Sequence, residues 1–486
     1  MDTAYYMRRA EEFTARFNTE ERLHLSGLKD TFETEAIFEE FQELFTREAV
    51  FERLDHREDR LGRYLAEFAV RNYIEQRLRE LTEQIADAES AAEVRVGEES
   101  LSFYQALGQA SQEADGSRRR ALEEAATEVM SRHDEWRVQR IVGQREIARE
   151  LGFADYRALC EDLSGQPLRA LAQELAAFVE DTQSAYCALV DEELGQAGID
   201  SRNATDWDLR WVMFAPRYTE VFPGGRLLSA AEATLSALGV TFSKQPNVHL
   251  DLQPRPKKYP KPFCAPITVP GEVWVVASPR GGCADFLSFF HELGHALHFA
   301  GVDPELPCAY RIMGDHALTE AFAFLLQSVV LNRDWLQYCL GVEAAPESLF
   351  RAGRLIDHWC VRRCAGKIAY ELELRGGAGR PAGMAARYAH LLGHAFGVRV
   401  APEQYLFDAD DWFSCARYLR AFMLDSCLRV FLRERFGRGW FRSPEAGEWL
   451  RSRWRRGTEL TAEELAGELG FQLGIALLRE RLLADT

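Results

Sequence analysis

The chain has 486 residues, 47% of them apolar, and its 58 Lys and Arg against 76 Asp and Glu give a formal net charge of −18. Such a surface repels phosphate backbones, which excludes nucleic acid as an expected partner but not peptides of small net charge. No run approaches the ~20 apolar residues of a membrane span, and the opening MDTAYYMRRAEEF is charged and lacks an apolar signal core, so a cytoplasmic protein with no membrane partner is expected.

Residues 5–90 are predicted as long helices, because apolar side chains recur three and four apart, as in Phe38, Phe41, Leu44 and Phe45. Asn18 followed by Glu21 reads as a helix start. Residues 92–118 read as a loop, and a single helix is predicted over 118–150, ended by Gly152. Helices follow at 155–162 and 166–196, with breaks at Gly195, Gly198, Asn203, Pro216 and Pro223–Gly225. Thr241–Phe242, His249–Leu252 and Glu272–Ala277 are predicted as short strands of one small sheet, the only β region, and helices resume from 285 to the end. The ten Cys form no Cys-x-x-Cys pair and read as free thiols of a reducing compartment. Cys360 and Cys364, one turn apart, are read as core thiols and not as a metal pair.

One helix carries chemistry. In Phe289-Phe290-His291-Glu292-Leu293-Gly294-His295-Ala296-Leu297-His298, the four-residue spacing turns His291 and His295 to one side, suited to two corners of a zinc tetrahedron. Glu292 stands beside the first ligand, within reach of a zinc-bound water that it would activate. A third ligand is needed, with the fourth position left for water. Glu320, in Asp315-His316-Ala317-Leu318-Thr319-Glu320-Ala321-Phe322, follows His295 by 25 residues inside an apolar helix and is preferred. Asp315 and His316 are the rivals, but helix capping explains Asp315 without a metal. His390 and His394 repeat the spacing without a Glu after the first His and read as ordinary histidines, and His298 reads as structural. The strand 271–277 is expected to grip extended substrate through its backbone.

The His291 helix, the 25-residue gap and Leu318-Thr319-Glu320-Ala321 resemble the zinc oligopeptidase family of thimet oligopeptidase and oligoendopeptidase F, and more weakly the angiotensin-converting enzyme family and thermostable carboxypeptidases. Arg145–Tyr156, Phe263-Cys264, Pro279–Gly282 with Asp285, and Gly366–Glu373 extend the likeness over about 145 to 440. The resemblance implies a mainly α, two-lobed zincin-like metallopeptidase. Residues 1–235 would form an N-terminal helical lobe and 236–486 a catalytic zinc-binding lobe, with a small sheet beside the metal helix and a deep channel. It implies one zinc ion per chain and Tyr418, in Asp411–Arg420, as an oxyanion donor. Cys415 stands where such enzymes commonly place a second Tyr, and Leu406, Phe407 and Asp408 stand where a His is expected, with Tyr405 as the substitute. Arg417 is a candidate for a substrate carboxylate. The expected activity is zinc-dependent hydrolysis of peptide bonds in short peptides. A carboxypeptidase or dipeptidyl-carboxypeptidase of the same fold, and a non-hydrolytic zinc-containing peptide binder, are the alternatives.

Overall fold

The computed structural model describes residues 1–214, 218–255, 258–259, 261–376 and 381–483, so the break expected at Pro216 lies outside the described residues. The protein is mainly helical, with 69% helix, 6% strand and two small sheets. It forms two compact units: Met1–Tyr73, Pro216–Pro346 and Arg420–Leu477 make the first, and Ile74–Ala215, Glu347–Leu419 and Leu478–Thr486 the second. The units are interleaved along the chain, where the sequence suggests one break at 235.

The physical reason lies in the first unit's core. Helix α1 (Thr3–Leu25) buries Tyr6, Ala10 and Phe13. Phe13 packs, tilted or edge-on, against Phe38, Phe41, Phe45 and Phe68 at ring distances of 5.3, 5.7, 4.8 and 6.0 Å. Aromatic packing of this kind gathers the first 73 residues into one body. The same helix lies along the sheet: Asn18 Nδ2 donates to Pro266 O at 2.7 Å. Asn18 is therefore not a helix start but an interior residue of α1 whose amide caps a strand carbonyl.

Two β features depart from expectation. Residues 92–118 are not a loop, for β1 (Glu93–Val96) and β2 (Glu99–Ser102) form a hairpin, followed by the helices Phe103–Ala110 and Gly116–Arg132. Gly97, at φ 63°, supplies the positive φ that a tight two-residue turn requires. The main sheet has the order β3-β5-β4, made of β3 (Val248–Asp251), β4 (Phe263–Thr268) and β5 (Glu272–Val276). Phe242–Lys244 is a single 3₁₀ turn and no strand, while β4 lies where none was predicted. β5 pairs parallel with β3 and antiparallel with β4. Its backbone groups are committed on both sides, so β5 cannot grip substrate. The helix expected over 118–150 is two, Gly116–Arg132 and Asp134–Glu150, separated at His133. No described helix is long and apolar enough to cross a membrane.

Candidate metal centre

The metal helix, Cys283–Ala300, starts where Asp285 accepts from the backbone N–H groups of Arg280 and Gly281, the latter at 2.8 Å. Its partner is the Glu320 helix, His316–Val329. The two cross so closely that a Cβ on Gly294 would lie 2.6 Å from Ala323 Cα and 2.8 Å from Phe322 O. The glycine in His-Glu-Leu-Gly-His is thus the contact point that lets the second helix deliver its carboxylate.

His291, His295 and Glu320 come together with ligand atoms all within 4.8 Å of one another, the one His, Cys, Asp and Glu group among the described residues fit to hold a metal ion. Glu320 Oε2 sits 3.4 Å from His291 Nε2 and 3.5 Å from His295 Nε2. The two imidazole planes stand at 84° with centroids 4.9 Å apart. The other ring nitrogens are already held. His291 Nδ1 pairs with Gln327 Oε1 at 3.0 Å and His295 Nδ1 with Thr319 Oγ1 at 2.9 Å. Both Nε2 atoms are thereby aimed at one point, as metal-ligating histidines are when their outer nitrogens are fixed. Glu320 Oε2 is buried and faces the two Nε2 atoms without a well-formed hydrogen bond among the described residues. Buried polar atoms are rarely left so, and a bound cation is the natural partner for this one.

Electrostatics agree. Burial alone would raise the Glu320 carboxyl, but the two imidazoles outweigh it and hold the group well below the usual carboxylate range. Burial would depress His291; the adjacent Glu320 carboxylate, with Glu292 beside it, overcomes this and raises it. Burial raises Glu292, against the opposing pull of both histidines and a hydrogen bond from the Cys264 backbone amide. That amide belongs to β4 and ties the candidate base to the sheet.

The rivals fall to other roles. Asp315 caps the Glu320 helix through Ala317 N at 3.1 Å and takes a two-pronged ion pair from Arg420 at 2.8 and 2.6 Å. His316 is pushed down by burial and joins no metal group. His298 is fully buried, pairs with Gly457 O at 3.3 Å, and burial pushes it down to about 3. His394 pairs with Glu180 at 2.9 Å in the second unit. All ten cysteines are free.

The oxyanion candidates differ from the metal ligands. Tyr418 belongs to the second unit, on the helix Ser414–Phe436, and is 39% exposed, so it is no core residue. Tyr405, the expected substitute, is buried and its hydroxyl engages Asp134. Gln327, Thr319 and the Cys264 amide were missed from sequence. The signal for the first two was available: Thr319 precedes Glu320 and Gln327 follows it by two helical turns, on the face that Glu320 shares.

No model of a known protein family matches the chain, and no curated protein matches it either.

Proposed function

We propose that this chain is a zinc-dependent peptidase acting on short peptides, of the two-lobed zincin-like kind that its motifs resemble. The observation that carries the reading is Glu320 Oε2, buried between two oriented imidazoles without a well-formed hydrogen bond. Two nitrogens and one carboxylate are the ligand set of hydrolytic zinc sites, with a position left open. Zinc held by His291, His295 and Glu320 would supply a Lewis acid and make water acidic near neutral pH.

The remaining work belongs to the chain. Glu292, raised by burial, is the stronger base for it, taking a proton from water and returning it to the leaving amine. The Cys264 amide keeps its carboxylate in line. Substrate would lie against β4 and not β5, since among the described residues β4 has no strand on its outer side. Pro266 O points outward but is taken by Asn18; strand alternation turns the Cys264 backbone outward too, and with its N–H on Glu292 its carbonyl is the group left to accept from substrate.

Metal analysis of the purified chain tests the first half: about one zinc per chain is expected. Quenched short peptides with and without chelator test the second. No zinc after supplementation, or chelator-insensitive turnover, would sink the reading.

A further inference from the structure

The first unit contains a cavity of about 280 Å³ between α1 and β4. Its floor is β4 itself, from Phe263 to Pro266, and it includes Cys264, whose amide holds Glu292. The cavity therefore opens one residue from the candidate base. Phe299 and Ile312 give it apolar walls. From α1 it receives Thr14, Asn18 and Glu21.

Glu21 has no hydrogen bond or ion pair among the described residues. It is exposed and stands in the lining of the cavity, at an opening and not sealed in the core. No cation answers it from the lining. Asn18 is spent on Pro266 O. Burial keeps His316, the one other titratable nitrogen of the lining, on the neutral side. The neighbouring Arg22 lies over the Trp274 ring at 4.4 Å.

We propose that this cavity is a side-chain subsite for a basic residue of the peptide, with Glu21 selecting the cation. Apolar walls suit the methylene stem of Lys or Arg, and a carboxylate suits its charged head. The proposal rests on the peptidase reading and deepens it by naming the substrate class: short peptides with a Lys or Arg beside the scissile bond.

Two measurements separate the failure of one from the failure of the other. The first compares kcat/KM for matched quenched peptides bearing Lys, norleucine or Glu at each position in turn, with wild type, Glu21→Gln and Glu21→Lys. Wild type should prefer Lys over norleucine about fivefold at one position, the range of a partly exposed ion pair. The preference should vanish in Glu21→Gln and turn toward Glu in Glu21→Lys. Because the readout is a ratio within each protein, a partly misfolded variant does not confound it. A Lys-to-norleucine ratio unchanged by Glu21→Gln overturns the subsite. The second measures anisotropy of labelled Lys and norleucine peptides on Glu292→Gln, alone and combined with Glu21→Gln. If wild type cleaves nothing but Glu21-dependent Lys selectivity persists in binding, the peptidase reading falls and the subsite stands. Loss of selectivity in both measurements removes the subsite alone.

Discussion

Two carboxylates of nearly equal exposure, Glu320 at 16% and Asp408 at 13%, show how differently the two units treat a buried negative charge. In the second unit, Asp408 is met by Arg363, by Lys367 Nζ at 3.6 Å and by the Tyr388 hydroxyl at 2.9 Å. Burial would raise it, but Arg363 and Lys367 prevail and hold it at about 2. In the first unit, Glu320 meets only two imidazoles, which are neutral in a metal site. Other carboxylate oxygens also lack a hydrogen bond, such as Glu371 Oε2 and Asp206 Oδ2. Each of these residues, however, has a side chain bearing permanent charge nearby, Lys367 at 3.8 Å and Arg210 at 3.3 Å. A complete ion-pair cluster is a structural device; a carboxylate faced by two oriented imidazoles is a group that could hold a cation.

The largest test breaks the two apart. Glu320→Ala should abolish metal retention through dialysis, read by elemental analysis. Asp408→Asn should keep the metal and lower stability by about 3 kcal/mol in urea, since it strips Arg363 and Lys367 of a partner. Metal loss in Asp408→Asn, or retention in Glu320→Ala, would erase the distinction. Next comes Glu292→Gln, expected to keep the metal and lose turnover by about 10²–10⁴-fold. Unchanged turnover would remove Glu292 as the base.

Where the sequence was legible, a local rule sufficed. The three candidate ligands follow from helical spacing and from a carboxylate placed among Ala, Leu and Phe, both readable without tertiary contacts. Asp315 as a cap followed from its place before the helix. What escaped depends on distant pairing. β4 contains Pro266 and reads poorly as a strand, yet a proline is tolerated at a sheet edge, where its missing N–H costs no ladder bond. The interior position of β5 follows from two partners, one of them parallel, that no local pattern announces. The first helix joins the sheet through Asn18 on Pro266 O, a pairing of residues 248 apart in sequence. Asn18 misled because Asn is a common helix start, and here it serves a strand.

The outer nitrogens sharpen the comparison further. If the imidazoles are aimed by Gln327 and Thr319, Gln327→Ala should weaken zinc affinity by about 10–100-fold while leaving the fold intact. Competition with a chromophoric chelator measures this. An affinity unchanged from wild type would mean that packing against Phe324, 5.0 Å from the His291 ring, orients it alone.

The smallest effect is one of pH, and the two carboxylates should answer it in different windows. His291 is raised, so in the metal-free protein its contribution to stability is fully present below the unfolded histidine value of ~6.5 and fades as pH rises through the higher folded value. The ion requires the same imidazole deprotonated. Metal affinity should therefore fall by up to about tenfold per pH unit below the raised His291 value, and the gain in Tm on adding zinc should shrink in step. Asp408 has the opposite sign: its stabilisation is present above the unfolded carboxylate value of ~4 and is lost only as pH falls toward about 2. Melting curves with and without zinc should thus converge in mild acid, before the Asp408 cluster begins to fail. A zinc-dependent Tm gain that stays constant until both curves collapse together would show that no proton leaves the site on binding, and the coupling between His291 and Glu320 would have to be abandoned.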